Sequence, residues 1–309
     1  MSTKNNMKDI VISDDCSYMS AFLTMRCNLN CNFCLNSLDK NKEFNRTSFK
    51  EISGGEWVQT LNRIQPKENV PITFCGGEPA LHNDFIYIIN NLNPKLDIDI
   101  LTNLQWGKRK LEEFISQVDP VRIKRDSPYA SIRVSYHPEQ MGNGENLVRD
   151  VGRLQDNGFS IGIWAVQYPS PMQLEAITQM QFRCKDVGIE FRVKDFTGKY
   201  EGTDTNGNNF SIIYGNYSKY PDSIFQETTK PCLCKTTELL IGPDGRAYKC
   251  HRDLFNEEFS VGNVVDSDFD FKLKYRNCQK YGDCHPCDVK LKTNYKQETG
   301  HTSVNIIFE

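Results

Sequence analysis

The 309-residue chain has neither a long apolar run nor an excess of charge of one sign. Its 37 Lys and Arg side chains nearly balance 40 Asp and Glu side chains, which leaves a formal net charge of −3 at pH 7. This balance argues against nucleic acid or an anionic membrane as a partner, and no apolar stretch is long enough to span a bilayer. The polar, acidic N-terminus does not have the composition of a secretory signal. We therefore expect a cytoplasmic protein.

Cysteine, by contrast, is abundant, with 12 residues. In a reducing compartment, clustered cysteines more often bind metal than form disulfides. Cys16, Cys75 and Cys184 stand alone and are expected to be small buried side chains. The other nine form two groups, one near the start of the chain and one in its last quarter: Cys27, Cys31 and Cys34, then Cys232, Cys234, Cys250, Cys278, Cys284 and Cys287.

Short β-rich runs alternate with amphipathic stretches over most of the first 195 residues. Strands are predicted at 20–24, 70–74, 97–101, 131–136, 159–167 and 189–193. Helices are predicted near 48–65, 82–93, 108–118, 144–157 and 171–187. This alternation is typical of βαβ units with a parallel sheet. Six units favour an α/β fold with a partial (β/α)6 TIM-type barrel, and a doubly wound sheet is the alternative.

The remainder of the chain divides into two parts of different composition. Residues 196–229 are rich in Gly, Asn, Ser and Tyr, with turn signals around "TNGNN" that predict a hairpin. Residues 230–309 hold the late cysteines. We predict three units: a barrel at 1–195, a bridging segment at 196–229, and a small cysteine-rich domain at 230–309.

The early cysteines, in "CNLNCNFC", have the spacing C-x3-C-x2-C. A closed zinc site needs four protein ligands, and Cys16, Cys75 and His82 do not fit a usual zinc spacing with these three. An iron–sulfur cluster held by three thiolates instead keeps one iron open to an outside ligand. An open position indicates a catalytic rather than a structural metal site.

This loop resembles the signature of radical S-adenosylmethionine (SAM) enzymes, with Cys27, Cys31 and Cys34 as cluster ligands and the aromatic Phe33 before the last cysteine. The resemblance implies a [4Fe-4S] cluster whose open iron binds the amino and carboxylate groups of SAM. One electron from the cluster then cleaves SAM to a 5′-deoxyadenosyl radical, which abstracts hydrogen from the substrate. It also implies a reductant such as flavodoxin or ferredoxin.

Three further strand ends match this family in the expected order. The segment "CGGEP" contains Gly76, Gly77, Glu78 and Pro79 and resembles the GGE motif, in which the Glu78 carboxylate would accept hydrogen bonds from the SAM ammonium. Thr102 and Asn103 match a Thr-Asn pair near SAM, and Ser135 matches a serine that contacts the SAM ribose. Functional groups in parallel α/β barrels gather at these strand ends.

The late cysteines resemble the SPASM/twitch extension of the same family. The segment "ELLIGPDGRAYKC" predicts a β-hairpin that brings Cys232 or Cys234 beside Cys250. The resemblance implies one auxiliary [4Fe-4S] cluster, and it leaves Cys278 unassigned. A zinc ribbon is the alternative. The candidate ligands are Cys232, Cys234, Cys250, Cys284 and Cys287.

The substrate is less constrained by the sequence. The leading hypothesis is oxidation or cross-linking of a peptide or protein side chain. The alternatives are a small-molecule dehydrogenase, acting for instance on an amino sugar or alcohol, and a zinc-binding protein without enzymatic activity. Glu190, Arg192 and Lys194 alternate with apolar residues on the last barrel strand, so they face either the barrel interior or solvent. No residue is assigned as general acid or base.

Overall fold

The computed structural model of the chain describes residues 7–31, 33–34, 50–196, 198–214, 230–281 and 304–307. Within these ranges all six predicted barrel strands are present, each within two residues of the expected limits. They are β1 (Tyr18–Thr24), β2 (Ile72–Gly76), β3 (Ile98–Thr102), β4 (Ile132–Tyr136), β5 (Ile161–Gln167) and β6 (Phe191–Asp195).

The predicted helices follow the strands, and one short helix was not expected. The helices between residues 50 and 195 are α1 (Gly54–Leu61), α2 (Phe85–Asn91), α3 (Gly107–Gln117), α4 (Pro138–Met141), α5 (Glu145–Asp156) and α6 (Pro171–Asp186). Helix α4 is the one that the sequence did not predict. Helix α1 is shorter than predicted because it begins at a capping box. The Ser53 side chain accepts from the Glu56 amide, and the Glu56 carboxylate accepts from the Ser53 amide.

The six strands pair in parallel in the order of the chain, and two later strands extend their sheet. Strand β10 (Glu238–Ile241) pairs in parallel with β1, and β11 (Ala247–Tyr248) pairs antiparallel with β10. The hairpin predicted for this segment is therefore confirmed, with Gly245 at φ +80° in its turn. Part of the region predicted as a separate domain thus belongs to the barrel sheet, in the order β11-β10-β1-β2-β3-β4-β5-β6.

The two faces of this sheet have different chemistry. Its outer face carries apolar residues such as Ile100, Val134 and Ile163, which pack under the helices in a continuous core with Trp57 of α1 and Phe114 of α3. Alternate positions face inward and are more polar. This alternation matches an α/β layer of parallel strands covered by helices, which is the predicted fold class.

A buried charge cluster lies on the inner face. The Asp99 carboxylate is 1% exposed and accepts from Arg125 at 2.8 and 3.0 Å and from Arg133 at 3.0 Å. Both guanidinium groups lie over the Tyr129 ring, at 4.8 and 4.9 Å from its centroid. The two cations and one anion leave excess positive charge below the sheet's carboxyl edge.

The remaining described elements form a hairpin and a small sheet. The hairpin predicted around "TNGNN" is confirmed as β7 (Gly198–Thr203) and β8 (Asn209–Tyr214), which pair antiparallel. Strands β9 (Lys230–Thr236), β12 (Arg276–Tyr281) and β13 (Val304–Ile307) form a sheet in the order β12-β9-β13, and α7 (His251–Asn256) follows β11. The domain limits at 195 and 229 stay a prediction. Among the described residues, no helix has the length and apolar character to cross a membrane.

Candidate active site

The two glycines after β2 bring its end into direct contact with the end of β1. The Gly77 amide donates to the Thr24 carbonyl at 2.9 Å, and the Glu78 amide donates to the Arg26 carbonyl at 2.8 Å. A Cβ at Gly76 would lie 2.1 Å from the Thr24 oxygen, and one at Gly77 would lie 2.1 Å from the Arg26 oxygen. Because any side chain would separate these strand ends, the Gly-Gly pair is required for the close approach.

Arg26 holds the base of the loop that carries the early cysteines. Its Nε and Nη2 atoms each donate to the Glu51 carboxylate at 2.9 Å, and Nη2 also donates to the Leu81 carbonyl at 2.9 Å. The Thr24 hydroxyl donates to the same carboxylate. Because Arg26 precedes the cysteines and Glu51 follows them, this bidentate ion pair joins the two ends of the loop.

The three early cysteines lie at this junction. Cys31 is buried, while Cys27 and Cys34 are half-buried, and the Cys34 amide donates to the Cys31 carbonyl at 3.2 Å in a tight turn. The Cys27 sulfur accepts from the Leu29 amide at 3.4 Å and from the Asn103 side-chain amide at 3.7 Å. N–H donors directed at a sulfur stabilise its thiolate form, which is the form that binds metal.

Asn28 connects the same loop to the segment after β3. Its side-chain amide donates to the Gln105 carbonyl at 2.7 Å, and its Oδ1 accepts from the Asn103 amide group at 2.9 Å. Asn103, a predicted site residue, therefore touches both Cys27 and Asn28. The ends of β1, β2 and β3 thus converge on the cysteine loop, as the sequence predicted.

Glu78 makes hydrogen bonds within the protein, and its expected contact with SAM stays a prediction. It has no exposed surface, and its carboxylate accepts four hydrogen bonds at 2.7–3.2 Å. The donors are the amides of Ala80 and Asn103, the Thr102 hydroxyl and the Trp106 indole. Burial raises the pKa of Glu78, and these hydrogen bonds oppose the rise. A carboxylate held in this way orients the Thr102–Asn103 turn.

Pro79 lies beside this carboxylate. It is buried and begins a single 3-10 turn, Pro79–Leu81, that Glu78 caps through the Ala80 amide. Proline suits the first position of such a turn because its missing N–H would have no partner there. Pro79 therefore shapes the backbone around Glu78, as Thr102 does through its hydroxyl.

Aromatic rings surround Phe33 on the open side of the loop. Phe33 stacks on Tyr168 at 5.1 Å between ring centroids, and Phe196 and His137 lie at 6.4 and 5.6 Å from it. Tyr168 also contacts Tyr200 of the β7–β8 hairpin at 5.3 Å. We call these five residues the aromatic wall. All of them are only half-buried, so the wall presents ring surface beside Cys34.

His137 is the ionisable member of the wall. It follows β4, and burial lowers its pKa to about 4. Its Nδ1 atom is enclosed and has no hydrogen-bond partner among the described residues. The imidazole is therefore neutral at pH 7, and its Nδ1 atom is a buried polar atom without a partner among the described residues.

Ser135 lies on the inner face near the carboxyl edge of the sheet. In the strand register it stands beside Trp164, which stands beside Arg192. The Arg192 guanidinium lies 5.9 Å from the Trp164 ring centroid and pairs with Glu190 at 2.5 Å. These contacts place Arg192 on the inward-facing side of β6, which resolves the alternative that the sequence left open for that residue.

Two of the late cysteines come together in the described part of the chain. Cys234 of β9 and Cys250, which caps the start of α7, are both buried. Arg276 of β12 stands opposite Cys234 in the strand register and forms an ion pair with Asp253 of α7, three residues after Cys250. The side chain of Cys232 and the whole of Cys284 and Cys287 lie outside the described residues.

Sequence reasoning missed several residues that hold the early cysteine loop. Arg26 and Asn28 flank Cys27 directly, so their position in the sequence was an available signal. Glu51 and Trp106 gave no such signal because their partners come from distant segments. Their roles follow only from the packing of the strand ends.

Comparisons with known proteins agree with this geometry. The chain is 38% identical over 109 residues to a probable GTP 3′,8-cyclase of Methanocella arvoryzae, a match that covers 34% of this chain and 33% of that protein. The GTP 3′,8-cyclase of Aquifex aeolicus is 23% identical over 289 residues, which cover 80% of this chain and 84% of that one. These relatives are radical SAM enzymes, and this chain resembles them in sequence.

A structural comparison supports the predicted fold class. The crystal structure of Streptococcus suis SuiB has a TM-score of 0.53 at 15% identity and covers 86% of this chain and 66% of that one. SuiB bound to its precursor peptide SuiA gives a TM-score of 0.51 at 14% identity, over 86% of this chain and 65% of that one. A scan of protein-family profiles finds no match. The first curated relatives are matched over only about a third of their length or less.

The residues at the cysteine loop fit the cofactors of the family, which are SAM and a [4Fe-4S] cluster. Cys27, Cys31 and Cys34 supply three thiols at one strand edge, with N–H donors directed at the Cys27 sulfur. In the described residues no three His, Cys, Asp or Glu side chains gather around a single metal ion. A [4Fe-4S] cluster does not require ligands that converge on one metal ion, because each thiolate binds a separate iron. The likeness to radical SAM enzymes also argues against the non-enzymatic zinc protein.

Proposed function

We propose that the chain is a radical SAM enzyme that oxidises or cross-links a side chain of a peptide or protein. The observation that carries this proposal is the aromatic wall beside Cys34. It offers half-buried ring faces from Phe33, Tyr168 and Tyr200 along the open side of the site. Such a surface suits an extended chain with apolar side chains. The fold likeness to SuiB, which has been seen with a precursor peptide, supports the same substrate class.

In this proposal each part of the site has a separate role. Cys27, Cys31 and Cys34 would hold the cluster, which with SAM supplies the abstraction of a hydrogen atom. Asn103 would orient the Cys27 thiolate through its side-chain N–H. Glu78 would keep the turn that carries Asn103 in place, since its carboxylate accepts the Asn103 backbone amide at 2.7 Å. The aromatic wall would exclude water from the reacting carbon.

The late cysteines would complete the oxidation. Cys232, Cys234, Cys250, Cys284 and Cys287 are the candidate ligands of one auxiliary [4Fe-4S] cluster. After a hydrogen atom has left the substrate, the remaining radical must lose one electron and one proton to give a two-electron oxidised product. An auxiliary cluster would accept that electron, while a reductant such as flavodoxin or ferredoxin would supply the electron that starts each turnover.

The charges around Cys234 and Cys250 support an electron-accepting role. Arg276 lies beside both cysteines, and Lys249, which is only 7% exposed, lies one residue before Cys250. Burial lowers the pKa of Lys249, and the neighbouring Arg276 lowers it further. Nearby positive charge stabilises the more negative, reduced state of a cluster and so raises its reduction potential.

A second candidate is a small, anionic substrate such as a nucleotide. Arg192 on the inner face lies over Trp164, a combination that can bind an anionic group beside a stacked ring. The two GTP 3′,8-cyclases named above favour this class. The match to the Methanocella arvoryzae protein, however, covers only about a third of this chain.

An isotope-transfer experiment distinguishes the two substrate classes. Cells that express the protein are grown in heavy water, and their extract is separated into a peptide fraction and a small-molecule fraction. Each fraction is incubated with anaerobically reconstituted enzyme, unlabelled SAM and dithionite. We expect deuterium in 5′-deoxyadenosine with the peptide fraction. Deuterium from the nucleotide-containing fraction alone would overturn the peptide proposal, and an absence of SAM cleavage would overturn the enzymatic one.

A further inference from the structure

Cys278, which the sequence left unassigned, lies in register with the late cysteines. Strands β12 and β9 are antiparallel, and their Cα partners include Cys278 with Cys232 and Arg276 with Cys234. Residues paired across antiparallel strands share a face of the sheet, as do residues two apart on one strand. Cys234, Arg276 and Cys278 therefore occupy one face of the β12-β9-β13 sheet.

Helix α7 brings Cys250 to that same face. Cys250 is the N-cap residue of α7, and its sulfur accepts from the Asp253 amide at 3.5 Å. The Asp253 carboxylate forms an ion pair with Arg276, which stands opposite Cys234. The ion pair thus fixes the start of α7 against β12 and β9. Cys250 and Cys234 are buried there, and Cys278 is half-buried.

Arg276 indicates what kind of group this face accommodates. Its guanidinium pairs with Asp253 of α7, and its Cα stands opposite that of Cys234 on β9. Its Nε atom is enclosed and has no hydrogen-bond partner among the described residues. An unused N–H donor and a fixed cation beside several thiols suit an anionic iron–sulfur cluster, whose sulfur atoms accept hydrogen bonds.

We propose that Cys278 is a ligand of the auxiliary metal centre, on the sheet face that it shares with Cys234 and next to Cys250. This inference rests on the auxiliary cluster of the proposed function. It changes the ligand assignment, because four thiolates complete a [4Fe-4S] cluster. Six late cysteines are then candidates for the four ligand positions of one cluster. If Cys278 occupies one of them, at least two of the other five cysteines are not ligands.

The test isolates the auxiliary centre from the first cluster. In a background carrying Cys27→Ala, Cys31→Ala and Cys34→Ala, the chain is reconstituted anaerobically and its iron, sulfide and EPR signal are measured. About four irons per chain are expected for one remaining cluster. Cys278→Ala added to this background should lose most of that iron. Asn277→Ser, at the exposed neighbouring position on β12, is the matched control and should keep it.

A second variant distinguishes the loss of a metal ligand from misfolding of β12. Cys278→Asp offers a carboxylate ligand, so we expect it to regain iron with an altered EPR signal. Unchanged iron content and EPR signal in both Cys278 variants would overturn the assignment of Cys278 while leaving the auxiliary cluster in place. A background protein that binds no iron at all would instead remove the auxiliary cluster, and the inference with it.

Discussion

The two cysteine groups are held by different kinds of structure. The early group lies where β1, β2 and β3 end in one parallel sheet, and Glu78 and Asn103 connect these ends by hydrogen bonds. In the late group, Cys234 belongs to the small antiparallel sheet and Cys250 to the start of α7. An ion pair between Arg276 and Asp253 joins these two elements. The early site is thus organised by one sheet, while the late one depends on docking between separate elements.

This difference implies that the two sites can be lost independently. The hydrogen bonds described above for the early loop come from residues between Thr24 and Trp106. None of these residues belongs to the β12-β9-β13 sheet. We therefore expect changes at the late cysteines to spare the chemistry at the early ones.

Cysteine replacement should give the largest effects. Cys27→Ala, Cys31→Ala or Cys34→Ala should each abolish reductive SAM cleavage, measured as 5′-deoxyadenosine by anaerobic chromatography, because each removes one of three cluster thiolates. Cys284→Ala and Cys287→Ala should retain SAM cleavage but block product formation. Product formation that persists without Cys284 and Cys287 would show that these two do not serve the auxiliary site.

A methyl group at Gly77 should disrupt the early site through the backbone alone. A Cβ there would lie 2.1 Å from the Arg26 oxygen, so Gly77→Ala must separate the ends of β1 and β2. We expect a loss of about 3 kcal/mol in the free energy of unfolding of the apoprotein, with reduced iron uptake on reconstitution.

Gly55→Ala is the control for that substitution. A Cβ at Gly55, in helix α1, would meet no atom closer than 3.9 Å. Alanine in a helix is more favourable than glycine, so denaturant unfolding should show equal or slightly higher stability. Equal stability of the Gly77 and Gly55 variants would mean that the close approach of the strand ends is not required.

The fold of the barrel could be predicted from sequence because its signal is local. Short β-rich runs between amphipathic stretches defined β1 to β6, and the turn residues in "GPDG" defined the β10–β11 hairpin. The pairing of β10 with β1 could not be predicted, since no local pattern encodes which distant strand a short apolar segment will join. The same limit applies to the pairing of Cys278 with Cys232.

The site was predictable in its residues but not in all of their roles. The spacing of the early cysteines and the Gly-Gly turn identified the strand ends that converge. Glu78 was expected to contact SAM because its segment resembles the GGE motif, and that contact stays a prediction. What the sequence did not indicate is that the Trp106 indole and the Thr102 hydroxyl donate to the same carboxylate. That outcome depends on how the segment after β3 packs.

Glu78→Gln tests this internal role. The amide cannot accept all four hydrogen bonds, and its NH2 group would face donors, so we expect the apoprotein to lose about 2 kcal/mol of stability in chemical denaturation. A carboxylate whose role was to bind SAM would instead leave apoprotein stability unchanged and weaken only SAM binding. Calorimetric SAM titration of the reconstituted variant separates the two outcomes.

His137 should give the smallest effect, one that depends on pH. Burial lowers its pKa to about 4, while an unfolded histidine titrates near its ordinary value of 6.5. Between these values the unfolded chain binds the extra proton, so His137 contributes stability above pH 6.5 that is lost as the pH falls toward 4. We expect the titration of His137 to lower the free energy of unfolding of the apoprotein by about 1–2 kcal/mol between pH 7 and pH 5. His137→Phe should flatten that part of the urea-unfolding profile, and an unchanged slope would place the imidazole in contact with solvent rather than enclosed against Phe33.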